Sequence, residues 1–286
     1  MTMLSTIRTY GSFVRFSHSV FALPFALIGA LLAWRTAEFS WVRLSWILLA
    51  MVSARSAAMG FNRLADAEFD ARNPRTAMRE MPRGAISRRG AVVFVVVSSV
   101  VFLISTYALG PICFALAPIA LLIVFWYSIA KRYTTYTQLF LGLAMAVAPV
   151  GGWLAAGGRG GWEPWLLALA IGAWVGGFDI LYACQDLDFD RAEGLRSIPV
   201  RFGIRRSVWA SRALHGLTVG SLAVLGMIAP LGSIYPIGVV IVGVLLTYEQ
   251  SLVGPEDLSR VKEAFDLNGF VGLLYLAVTA ISLYLG

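Results

Sequence analysis

Three polar side chains, Asn62, Asp66 and Asp70, recur every four residues just beyond an apolar run that ends at Phe61. On a helix, positions four apart are neighbours on one face, about 5–6 Å from each other. Two carboxylates so placed repel, by roughly 3 kcal/mol at an effective dielectric of about 20, so such a face calls for cations. A divalent ion that takes oxygen ligands is the natural partner. A second set follows another apolar run: Asp179, Asp186 and Asp190, seven and four residues apart, interleaved with Tyr182 and Gln185. Asp66 to Asp186 and Asp70 to Asp190 are both separations of 120 residues, so a carboxylate pair and its place after an apolar segment recur together, as in an internal repeat.

Arginines crowd both sets. Arg72, Arg75, Arg79, Arg83, Arg88 and Arg89 follow the first, interrupted by Pro74 and Pro82; Arg191, Arg196 and Arg201 follow the second, with Gly194 and Pro199. A loop that only fixes membrane orientation would account for this density. Arginines interleaved with carboxylates also suit a metal-bound polyanion, since arginine grips phosphate through two N–H groups while the carboxylates hold the ion. Two such faces meeting across a bundle would chelate Mg²⁺ ions bridged by a diphosphate, and a diphosphate neutralised in this way becomes a good leaving group.

The elements that must position these groups are membrane helices. The chain of 286 residues is 58% hydrophobic and 14% charged, with a mean hydropathy of +0.76, far from the roughly 25% charge of a soluble domain. Apolar runs of spanning length centre near residues 27, 51, 100, 120, 147, 174, 221, 243 and 277, which predicts an all-α polytopic bundle of about nine transmembrane helices. The connections are short, so residues 1–286 form one integral membrane domain, with motif one over 62–75 and motif two over 179–199 at helix ends and loops around a cytoplasm-facing central cavity. With a cytoplasmic N-terminus, 19 of the 23 Lys and Arg residues fall on the cytoplasmic side, while Arg35, Arg43 and Arg159 fall opposite and Arg55 lies within a span. That asymmetry explains the net charge of +7 without nucleic acid and places both motifs at the cytoplasmic face of the inner membrane. The N-terminus lacks the small-residue cleavage site of a signal peptide, so the first helix is expected to be retained. Cys113 and Cys184, in or at the end of apolar runs, read as small hydrophobes.

Further polar groups sit inside apolar runs. Arg55 lies seven residues before Asn62 on the same helical face, and Asp179 lies two turns before Asp186; ionisable groups at that depth point to a cavity, and Arg55 or a metal is the expected partner of Asp179. Tyr127 and Lys131, one turn apart, are explained equally by an interfacial aromatic belt and by a polyanion site. His18 reads as an interfacial histidine or as a ligand contact. Gly151 and Gly152 mark close packing or space for a ligand.

Taken together, these residues resemble the UbiA-type intramembrane prenyltransferases, over nearly the whole chain. Asn62-x-x-x-Asp66-x-x-x-Asp70 with Asn73-Pro-Arg75-Thr is similar to their first aspartate-rich motif, Asp179-x-x-Tyr182-Ala-x-Gln185-Asp186-x-x-x-Asp190 to their second, and Tyr127-Ser-x-x-Lys131-Arg to the end of their fourth helix. The resemblance implies Mg²⁺-dependent transfer of a prenyl group from polyprenyl diphosphate to a small aromatic acceptor, with the polyprenyl tail in the lipid bilayer. It implies that Asn62, Asp66, Asp70, Asp186 and Asp190 hold Mg²⁺. Arg75 and Lys131 would bind the diphosphate beside Tyr127, Tyr182, Gln185 and Arg196, and Asp179 would orient the acceptor or take its proton. One departure is Arg63, which follows Asn62 where many relatives carry a second carboxylate. Phe21-Ala-Leu-Pro-Phe-Ala and the Tyr-Ala-x-Gln-Asp signature resemble the quinone-pathway branch. There the acceptor is 4-hydroxybenzoate, for ubiquinone, or a futalosine-type aminobenzoate nucleoside, for menaquinone. A cation-coupled transporter is the competing class, since carriers also use repeats and mid-membrane charges. Both motifs here fall on one side of the membrane, unlike an inverted repeat.

Overall fold

The computed structural model describes residues 9–14 and 23–285. His18, Arg15 and Phe21 lie outside the described residues. Eleven helices follow in order: α1 Leu23–Ala33, α2 Trp41–Arg72, α3 Arg88–Leu109, α4 Pro111–Ala130, α5 Thr137–Ala155, α6 Glu163–Ala183, α7 Leu187–Ala192, α8 Ile198–Phe202, α9 Ile204–Ile228, α10 Tyr235–Ser251 and α11 Val261–Leu285. Each of the nine apolar centres read from the sequence falls inside a helix. Seven segments among the described residues are long and apolar enough to cross a bilayer, while α1, described from Leu23 onward, and α10, at 17 residues, fall short of that length, so the expected count of nine is not confirmed.

Helix length explains where the motifs sit. The 32 residues of α2 extend about 48 Å, against an apolar core of about 30 Å, so its last turns project past the hydrocarbon and carry Asn62, Asp66 and Asp70. Ser40 caps its start by accepting from the Arg43 amide, and Asn73, extended before Pro74, ends it. Helix α6, a 3₁₀ turn at Cys184–Asp186 and α7 run on as one rod of 30 residues. Asp186 stands in that turn, so the seven-residue offset from Asp179 does not follow an unbroken α-helix as the sequence suggested.

Helices α3 and α4 face outward with Val93, Val96, Ile104, Ile119 and Leu122 exposed, as a lipid-contacting surface requires. The main core lies among α1, α5, α6, α9, α10 and α11, around Phe25, Ile171, Trp174, Leu225, Tyr235 and Leu246. Close backbone approach holds its centre: a Cβ on Gly152 of α5 would stand 2.0 Å from the Ala26 carbonyl oxygen of α1, and one on Gly29 2.1 Å from that of Pro149. Small residues let membrane helices meet this closely.

Candidate active site

The end of α2 displays its polar face as the four-residue spacing requires. Asn62 Nδ2 donates to Asp66 Oδ2 at 3.4 Å, the same oxygen that pairs with Lys131 Nζ at 3.1 Å. One turn on, Arg79 Nη1 donates to both oxygens of Asp70, at 2.7 and 2.8 Å. Asp66 and Asp70 are both buried, and Asp66 Oδ1 is buried without a hydrogen-bond partner. Arg63 is buried off this face and donates from Nε to the Phe13 carbonyl at 3.3 Å, so the side chain that departs from the family pattern ties the N-terminal segment to α2.

Motif two meets this face through Arg75. Its Nε and Nη2 fork the Asp186 carboxylate at 3.1 and 2.6 Å, and its Nη1 donates to the Tyr182 hydroxyl at 3.2 Å. Burial draws the Arg75 guanidinium down, but Asp186, Tyr182 and Asp70 outweigh it and hold the group above its ordinary value. Asp190 has Lys131, Asp186, Asp66 and Arg75 as its charged neighbours, so the two motifs lie within electrostatic reach of each other, while among the described residues no three His, Cys, Asp or Glu side chains stand together as a ready metal cage. Two latches close the surrounding loops: Arg72 pairs with Glu193 at 2.9 Å, and the Arg196 amide donates to the Lys131 carbonyl at 2.7 Å.

The remaining expected site residues divide. Gln185 is exposed and its Nε2 donates to the carbonyl of Tyr182 at 3.4 Å, and Arg196 is exposed with Nη1 donating to the Tyr133 carbonyl at 2.7 Å. Both therefore shape the 3₁₀ turn and the loop rather than enter the carboxylate cluster. Asp179 has Asp186 and Asp190 as its charged neighbours. Of the two partners expected for Asp179, Arg55 or a metal, the first is corrected: no ion pair among the described residues joins Asp179 to Arg55, and Tyr127 is the electrostatic neighbour of both. The sequence offered Arg72 and Arg79 as polyanion-binding arginines but not their pairing with Glu193 and Asp70, because loop arginines nine residues from their carboxylate, or across a fold, leave no periodic trace.

A cavity of about 750 Å³ lies within the bundle. Arg55 and Tyr127 are on its wall, which is otherwise almost wholly apolar, with Met51, Phe102 and Met145 among its side chains. Leu116, Ile119, Leu143 and Trp165 line it and are also surface residues, so it opens sideways into the lipid-facing surface. Arg55 Nε is buried there without a hydrogen-bond partner. A polyanion head at the cluster with an apolar tail below is the ligand shape this arrangement accepts. For a hard cation, the donors are carboxylate and amide oxygens. Asp66 Oδ1 is unpartnered, and Asp190 is in none of the ion pairs among the described residues, so oxygen ligands remain after Lys131, Arg75 and Arg79 have taken their share.

The chain is similar in sequence and fold to known proteins. The profile of the UbiA prenyltransferase family matches residues 22–276. The 4-hydroxybenzoate octaprenyltransferase of Citrobacter koseri is 32% identical over 270 residues, 91% of this chain and 92% of that protein. The enzyme of the same name from Vibrio atlanticus is 31% identical over 226 residues, 79% of each. Among solved structures, the apo form of a UbiA homolog from Aeropyrum pernix K1 superposes with a TM-score of 0.84 at 33% identity, covering 92% of this chain and 96% of that one. A UbiA homolog from Archaeoglobus fulgidus, bound to GPP and Mg²⁺, has the same fold with a TM-score of 0.77 at 21% identity, covering 96% and 99%.

Proposed function

The chain belongs to the UbiA prenyltransferase family and is a prenyltransferase, and we propose that it moves a polyprenyl group from polyprenyl diphosphate to 4-hydroxybenzoate, with Mg²⁺ as cofactor, in quinone biosynthesis at the cytoplasmic face of the inner membrane. The observation that carries this reading is the pairing of Asp66 with Lys131 and of Asp186 with Arg75, beside an apolar cavity whose wall holds Tyr127, an electrostatic neighbour of Asp66. The names of the relatives support the acceptor, and the GPP and Mg²⁺ in the Archaeoglobus fulgidus homolog support the donor and the ion.

In this reading Asp66, Asp70, Asp186 and Asp190, with Asn62, would hold Mg²⁺, whose charge would neutralise the diphosphate. Arg75 and Lys131 move from their carboxylate partners toward the phosphate oxygens, to which an arginine fork is equally matched. The allylic C–O bond then breaks with its electron pair leaving on the diphosphate. The apolar cavity holds the allylic cation and excludes water that would quench it. A ring carbon of the acceptor, ortho to its hydroxyl, gives an electron pair to the cation, and Asp179 takes the proton that carbon loses. Arg55, on the cavity wall with its Nε unpartnered, faces the acceptor carboxylate.

Membranes containing the chain, incubated with farnesyl diphosphate, Mg²⁺ and each acceptor in turn, are expected to yield prenylated 4-hydroxybenzoate by mass spectrometry. Product from an aminobenzoate nucleoside of the futalosine type and none from 4-hydroxybenzoate would overturn the choice of acceptor.

A further inference from the structure

Phe69 sits between the two motif-one aspartates, and three cations gather on its ring. The Arg72 guanidinium carbon is 5.1 Å from the ring centroid, that of Arg132 5.2 Å, and Lys131 Nζ 5.6 Å. Arg72 is one turn along the same helix, whereas Lys131 and Arg132 arrive from the end of α4. Each has a second contact that fixes its far side: Lys131 pairs with Asp66, Arg132 donates to the Ala65 carbonyl, and Arg72 pairs with Glu193. Three positive groups around one point repel, and of the carboxylates touching them Asp66 is the one assigned to the metal. Once Asp66 turns to an ion, Lys131 loses its ion-pair partner. The ring remains. An aromatic face attracts cations through its quadrupole, yet it carries no net charge to compete with phosphate oxygens for them.

We propose that Phe69 is a positioning residue for the diphosphate, its ring holding Lys131 and Arg132 against motif one so that their charge faces the polyanion when the carboxylates are engaged elsewhere. This rests on reading the carboxylate cluster as the diphosphate site. A ring that served only as packing would be replaced without kinetic consequence by an aliphatic side chain of similar size.

The test uses the full-length protein in detergent or nanodiscs with radiolabelled farnesyl diphosphate, Mg²⁺ and a saturating acceptor. Phe69→Leu is expected to raise KM for the prenyl diphosphate about tenfold, equivalent to about 1.4 kcal/mol, with kcat and Tm close to those of the parent. Phe69→Trp and Phe69→Tyr, which keep a π face, are expected to recover the parent KM. Phe69→Met asks the same question with a flexible apolar chain should the leucine variant not fold. An unchanged KM in the leucine or methionine variant overturns the proposal, as does a tryptophan variant as impaired as the leucine one. A parent protein that does not turn over prenyl diphosphate at all sinks the reading of the site itself, an outcome seen before any variant is compared.

Discussion

At the scale of single residues, the site is a set of carboxylates whose charge is already answered by arginine and lysine. Arg75 shows the geometry most clearly, because its fork on Asp186 and its third N–H on the Tyr182 hydroxyl join loop and helix from different halves of the chain. Lysine carries the charge but not the fork. Arg75→Lys is therefore expected to lower kcat/KM for the prenyl diphosphate by at least about tenfold, the scale of one lost charge-assisted hydrogen bond. Steady-state kinetics at fixed Mg²⁺ check it, and parent-like kcat/KM would show that the charge alone suffices. The aspartates were legible in the sequence because spacing of four has one meaning on a helix. Their counterions were less so: Arg72 and Arg79 read as loop arginines suited to a polyanion or to topology, and Arg132 stood in a motif with Lys131, but none carried a sign of its partner until the fold brought them to Glu193, Asp70 and Phe69. Arg63 was a puzzle in sequence and is resolved by its burial against the Phe13 carbonyl.

At the scale of elements, α2 and the α6–α7 rod deliver the two motifs, and backbone contact among α1, α5 and α6 fixes their support. The adjacent glycines of α5 both line the cavity, but only Gly152 also meets a neighbouring backbone. Gly151 has nothing within 4 Å of a would-be Cβ and lines the cavity, whereas a Cβ on Gly152 would stand 2.0 Å from the Ala26 carbonyl oxygen. Backbone on both sides cannot swing aside as a side chain would. Gly152→Ala is thus expected to destabilise the bundle by about 1–3 kcal/mol, the scale of overpacking, and to lower the melting temperature in detergent, while Gly151→Ala leaves it unchanged. Equal melting of the two variants would mean that α1 and α5 can separate without loss. Helix α6 is braced similarly from α11, where Trp174 Nε1 donates to Asn268 Oδ1 at 2.5 Å and the Phe265 ring meets Phe178 and Tyr182 at 5.5 and 4.6 Å. Helix existence followed from apolar runs; these braces did not, because isolated polar groups in α10 and α11 carry no spacing that names their partners.

At the scale of the whole molecule, the arginine loops of the two acidic motifs are joined through Arg75–Asp186 and Arg72–Glu193, and the positive-inside rule expects that end of the bundle to face the cytoplasm. Single cysteines at 79, 159 and 196, introduced with Cys113 and Cys184 replaced, report that orientation by labelling of intact cells with an impermeant maleimide. Position 159 is expected to label and positions 79 and 196 are not; the reverse pattern would place the site on the outer face. The central claim is that two motifs separated by 120 residues make one metal and diphosphate site. Prenyl transfer by purified protein decides it most directly, comparing the parent with Asp66→Asn, Asp186→Asn and, as control, Asp188→Asn, whose exposed side chain is in none of the ion pairs among the described residues. The first two variants are expected to lose activity on the order of 100-fold or more in saturating Mg²⁺, with the control equal to the parent. Full transfer by either Asp66→Asn or Asp186→Asn would contradict the account.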